Sequence, residues 1–121
     1  MPLRDDLPFR YFAEEWYKEK KEPNISTATR ASYKTMLEKH IYPVFGNRHL
    51  RAIQAMEIQR FINRFAGKSG SQITLAMGII KSVFANAYAD GIIERDPTVS
   101  LVRPRSVKKK QERRALTLQE T

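Results

Sequence analysis

Residues 69–91 read SGSQITLAMGIIKSVFANAYADG, and this stretch decides the fold. Ser69 followed three residues later by Gln72 is a capping box, in which a side chain takes up a backbone N–H left free at a helix start. Ile73, Ala76, Ile80, Val83, Phe84 and Ala87 then recur at helical spacing, and Gly91 is the natural residue to leave the helix. Thr74, Gly78 and Lys81 form a second stripe away from the apolar one. Gly78 costs roughly 1 kcal/mol against Ala in a helix interior. Its presence there marks either close packing of a neighbouring helix or the approach of another surface.

Upstream, Ile58, Phe61, Ile62 and Phe65 predict a helix that stops at Gly67. Before it, a helix starts near Ser26 or Thr27 with Tyr33, Leu37 and Ile41 on one face, Met36 and His40 alongside, and Pro43 as its end. Residues 44–50, with the pair Gly46 and Asn47, read as a turn. The first helix spans residues 7 to about 22 on the stripe Phe9, Phe12, Ala13, Trp16, with Asp6 as cap and Pro8 in the first turn; Pro23 and Asn24 break it. Downstream, Asp96 and Pro97 open a short helical turn that carries Val99 and Leu101 toward the core. No run alternates with a strand's period of two and no repeat is visible. The expected fold is all-α: a bundle of four main helices plus a short C-terminal helical turn, followed by an extended basic linker.

The 121 residues suffice for one domain and carry a formal charge of +9. Residues 1–102 hold 15 basic and 11 acidic side chains, whereas residues 103–121 hold 7 and 2. The excess is concentrated in Arg103, Arg105, Lys108, Lys109, Lys110, Arg113 and Arg114. Cations that close repel one another unless a polyanion lies nearby. A solvated linker is the bland reading of such a run.

The absence of Cys excludes disulfides, thiolate metal sites and cysteine nucleophiles. His40 and His49 lack carboxylate partners at ligand spacing, and no phosphate-cradling Gly-rich loop or hydrolase motif is present. No cofactor and no metal are expected. Tyr33, Tyr42 and Tyr88 sit at or near predicted buried faces, and Tyr11 and Tyr17 flank the first apolar stripe, so core packing accounts for the tyrosines better than nucleophilic chemistry. No apolar run is long enough to span a bilayer. A soluble, non-secreted binding module, not an enzyme, is the expectation.

Candidates for DNA contact lie where hydroxyls, amides and cations meet helix starts. At the second helix these are Thr27, Thr29, Arg30 and Lys34, the last two on the solvent face. At the fourth they are Lys68, Ser69, Ser71, Gln72, Thr74 and Lys81, to which the linker adds Arg103, Arg105, Lys108, Lys109 and Lys110. Caps use the same residue types, so the weight rests on their combination. Few aromatics are free to stack on bases, which favours double-stranded DNA.

The order Thr29, Tyr33, Leu37, His40, Ile41, Pro43, Phe45, Gly46 resembles the core-binding (SAM-like) N-terminal domain of tyrosine recombinases, the phage and transposon integrases. Leu50, Ile53, Glu57, Ile58, Gln59, Phe61 and Ile62 are similar to that family's third-helix entry, with a departure at residues 54–56, where the family often carries a Thr or an Asp-bearing cap. Phe84, Ala87, Ile92, Ile93, Asp96 and Pro97 resemble the end of its fourth helix. Arg114, Ala115, Leu116 and Thr117, with Glu120, resemble the first residues of the catalytic domain, and Thr117 with Glu120 is a capping box without its helix. The resemblance implies that residues 1–102 form a DNA-binding domain, 103–114 an interdomain linker and 115–121 the start of a catalytic domain. It also implies that the second and fourth helices face the major groove and that other protomers assemble on the DNA. The catalytic Arg, His and Tyr set would lie beyond Thr121, and because the family's protomers assemble largely through parts absent here, this chain alone is expected to be a monomer. The competing expectation is a helical protein-interaction module with a basic spacer.

Overall fold

The computed structural model describes residues 7–106. The expected Asp6 cap, Lys108, Lys109, Lys110 and the Thr117 start signal therefore lie outside the described residues. Among the described residues 68% are helical and none forms a strand. Helix α1 spans Phe9–Trp16 and winds on through wider turns over Tyr17–Lys21 and a 3-10 turn at Glu22–Asn24. Helix α2 spans Thr27–Thr35 and continues as a π-helical segment over Met36–Gly46. Helices α3, Ala55–Asn63, and α4, Gly70–Ala89, complete the four.

The helix starts follow the predicted chemistry in part. Ser26 Oγ accepts the Thr29 N–H at 3.2 Å and Ser69 Oγ accepts the Gln72 N–H at 3.3 Å, so both hydroxyls act as N-caps. Pro8 does not occupy the first turn of α1; it is the residue before it, extended at ψ 149, and its carbonyl receives the Phe12 N–H. Pro43 does not end its helix. A proline in an α-helix removes one hydrogen bond and clashes with the carbonyl four residues back; the wider π winding moves that carbonyl out of the way and lets the chain run to Gly46.

Gly67 and Gly91 take φ of 84° and 78°. Both turns thus use the left-handed conformation that costs other residues energy. Beyond α4, the Asp96 carboxylate accepts from both the N–H and the hydroxyl of Thr98, at 2.9 and 2.6 Å. That closes the predicted short turn but reverses its facing: Thr98 is buried, and Val99, expected inside, is 82% exposed. Leu101 packs against the core as expected.

Every residue of the predicted α1 and α4 stripes is buried, and Met77 and Ile79 widen the latter. Rings form a continuous path through the core. Phe84 meets Phe9 at 5.7 Å, Phe9 meets Phe45 at 6.0 Å, Phe45 meets Phe61 at 5.3 Å and Phe61 meets Phe65 at 5.4 Å. Burial of each such side chain contributes about 1.5–3 kcal/mol. A backbone bridge between Pro8 and His49, with Phe9 N–H bonded to the Arg48 carbonyl and Leu50 N–H to that of Leu7, fixes the start of α1 against the segment that leads into α3. Tyr88 and Tyr11, expected near buried faces, are exposed.

Candidate nucleic-acid interface

The aromatic path ends at the surface on His40, whose ring meets Phe65 edge-on at 5.7 Å. His40 is exposed and lines two adjoining hollows that share Gln72. The first, about 380 Å3, lies between α2 and the start of α4 and is lined by Ala31, Ser32, Thr35, Met36, His40, Ser71, Gln72 and Leu75. The second, about 390 Å3, lies between α3 and α4 and is lined by His40, Phe61, Arg64, Phe65, Lys68, Ser69 and Gln72. Neither hollow has an acidic side chain in its lining. The first-turn N–H groups of α4 add a partial positive charge to the place where the two meet.

Among the predicted contact residues, Lys68, Ser69, Ser71 and Gln72 are brought together here. Ser69 is also the cap, and its hydroxyl lies 3.2 Å from that of Ser71. Thr27, Thr29, Arg30 and Lys34 are not in the lining. Thr29 Oγ1 accepts a hydrogen bond from Ser26. Arg30, expected on the solvent face, is half-buried, and its Nε donates to the Glu22 carbonyl at 3.2 Å. Lys34 lines a different hollow, with Glu14, Glu22 and Glu38. Lys81 and Gly78 are exposed farther along α4, and a Cβ on Gly78 would meet nothing within 4 Å. The helix-packing explanation of Gly78 is thereby overturned.

Ser32, Thr35 and Arg64 are the residues that spacing did not single out. Ser32 and Thr35 share with Met36 the lining of the hollow that opens toward the start of α4, a neighbourhood that the sequence of α2 by itself does not reveal.

The chain after Leu101 lies on the corner between α3 and α4. Gln59 Nε2 donates to the Val102 carbonyl, and the Val102 N–H donates to Gln59 Oε1, each at 2.9 Å. Arg103 donates from Nη1 to Thr74 Oγ1 and from Nη2 to the Gly70 carbonyl, both at 3.0 Å. The Gly67 N–H donates to the Arg105 carbonyl at 3.0 Å. Thr74, expected among the DNA contacts, thus already has Arg103 as a partner. On the far side of α3, Glu57 accepts from the Gln54 N–H and from Arg48, both at 3.2 Å. The Gln54 bond first, and then Arg48, hold its carboxyl below the ordinary range.

Burial pushes the Tyr42 phenol up to about 12, assisted by Glu14 and opposed by Arg10, and burial raises Tyr17 as well. That is the reverse of the shift that activates a nucleophile. Among the described residues no group of three acidic, His or Cys side chains is placed to hold a metal ion, and no helix is long and apolar enough to cross a membrane.

A four-helix domain of this topology is shared by integrase SAM-like domains. The family described as phage integrase, N-terminal SAM-like domain, matches residues 8–66. A phage integrase fragment from Staphylococcus saprophyticus is 28% identical and superposes with a TM-score of 0.68 over 77% of this chain and 84% of that one. The N-terminal domain of the prophage pi2 integrase from Lactococcus lactis, 19% identical, shares the fold at a TM-score of 0.70 over 81% and 94%. In sequence, a protein named as a prophage phiRv2 integrase from Mycobacterium tuberculosis is 28% identical over 94 residues, which cover 78% of this chain and 24% of that protein. Residues 8–66 thus match the phage integrase N-terminal SAM-like domain, and the chain as a whole is similar to integrases in sequence and in fold. It spans about a quarter of the length of the curated relatives it matches.

Proposed function

We propose that this chain is the part of a tyrosine recombinase that grips duplex DNA at the core recombination site, opposite a catalytic domain that supplies the chemistry. The observation that carries the reading is the acid-free pair of hollows at the start of α4, where Arg64, Lys68, His40, Ser69, Ser71 and Gln72 converge. Cations there supply salt-dependent affinity for phosphates. Gln72 is of the right type to read adenine, and the hydroxyls of Ser32, Thr35 and Ser71 suit either phosphate or base edges. Lys81 stands on the Thr74 and Gly78 stripe of α4, the side on which Arg103 is bonded to Thr74, and Lys108, Lys109 and Lys110 come after the segment bearing Arg103 and Arg105 in sequence. Thr27, Thr29, Arg30 and Lys34 take a lesser part, since none of them lines the hollows. The whole protein would recombine DNA through protomers assembled on it, in the cytoplasm and without a cofactor.

Fluorescence-anisotropy titration against a labelled duplex at several salt concentrations, with single-stranded competitor, tests this. Saturable, duplex-preferring binding with a steep salt slope is expected. No binding at low salt would reject it and leave a helical protein-interaction module whose basic segment is a spacer.

A further inference from the structure

We propose that Gln59 is a positioning residue, whose side-chain amide seats the segment leaving the bundle and thereby aims Arg103 at the start of α4. This rests on the DNA-gripping reading and adds to it the device that orients one of its cations.

An amide side chain carries a donor and an acceptor side by side, and Gln59 uses them on the N–H and carbonyl of the same residue, Val102, as a neighbouring strand would. A second donor of the same amide reaches Asn63 Oδ1 at 2.9 Å, which fixes its flip state. With Val102 held from α3 and the Arg105 carbonyl held by the Gly67 N–H, the two residues between them cannot swing away. Arg103 is thus laid across the first turn of α4.

Its seat is electrostatically unusual. A guanidinium beside the N-terminus of a helix faces the positive end of the dipole, where anions and not cations are favoured. Two of its five N–H groups are spent on Gly70 and Thr74, and three remain. A duplex phosphate shared between those donors and the α4 start would relieve the repulsion and take a bidentate contact.

The experiment compares the 121-residue chain with Q59A, Q59E, R103A and the Q59A/R103A pair, reading the amide exchange of Val102 and Gly67 without DNA and the salt dependence of duplex binding. Q59A should speed Val102 exchange about tenfold, on the scale of one lost hydrogen bond. Q59E, which keeps the size and an acceptor but cannot donate to the Val102 carbonyl, should fall between. Q59A and R103A should each make the log K against log salt slope shallower by about 0.9, one phosphate contact, and the pair should lose no more than either alone. Q59A that binds duplex as the parent does, or a pair whose losses add, overturns the positioning role while leaving the DNA reading intact. A parent chain that binds no duplex overturns the DNA reading, and the phosphate role of Arg103 with it, whatever the exchange rates.

Discussion

Tyr42 shows what a single residue carries in this fold. Its ring packs edge-on against Phe9 at 6.5 Å beneath the Arg10 guanidinium, 4.9 Å from the ring centre, and burial raises its phenol to about 12. In the unfolded chain the same group ionises near 10. The native contribution is therefore complete below pH 10 and is lost as the pH rises through 12, because the unfolded state releases its proton first. Urea midpoints measured at pH 9, 10 and 11 should fall across that interval, and Y42F should decline less steeply; parallel curves for the two would assign the loss elsewhere. Tyr17 shifts in the same direction, so the variant keeps part of the decline. Legibility also varies residue by residue. Gln72 and Lys68 were visible as a helix-start cluster, whereas Ser32 and Thr35 gave no signal, since their importance lies in which flank of α2 meets α4. Gln59 was legible only as part of a family-like run, because its partner, Val102, is 43 residues away.

At the scale of elements, α4 explains both what could be read and what could not. Its caps, stripe and end were all present in one continuous run, and a period of 3.6 is a local property. The winding beyond α2 was misread at Pro43 because proline's usual effect assumes α geometry, and the choice of a wider register is made by the packing around Met36–Gly46. Gly78 offers a test that separates stability from binding. With open space where a Cβ would go, G78A should raise stability by about 0.5–1 kcal/mol, read as a higher denaturation midpoint, and should weaken duplex affinity if that stripe is approached by the DNA backbone. A lower midpoint would contradict the open-space account. At the same helix's start, S69A should cost about 1 kcal/mol through loss of the cap. At the turn before it, G67A should cost about 1–2 kcal/mol by forcing a side chain into positive φ. Equal midpoints for parent and G67A would mean that the turn adopts another conformation.

Over the whole molecule, charge is sorted by face. Glu14, Glu22 and Glu38 gather with Lys18 and Lys34 around one hollow, while the hollows at the start of α4 carry cations, hydroxyls, amides and the His40 imidazole, and no carboxylate, among their polar side chains. A polyanion approaching such a body is oriented before it is bound, since the field attracts it to one side and repels it from the other. The basic segment after Leu101 strengthens that asymmetry, and truncation resolves its two parts. A chain ending at Ser106 keeps the Gln59, Thr74, Gly70 and Gly67 bonds that seat residues 102–105, yet lacks Lys108, Lys109, Lys110, Arg113 and Arg114. Its salt slope should drop by about 0.9 for each phosphate those five contact, up to about 4.5 for all of them. A chain ending at Val102 loses Arg103 and Arg105 as well, and its slope should drop by about one further contact for the seated Arg103. If the two truncations share one slope, the seated arginine faces no phosphate; if the chain ending at Ser106 matches the full chain, the five later cations lie clear of the duplex and grip belongs to the bundle and the seated segment.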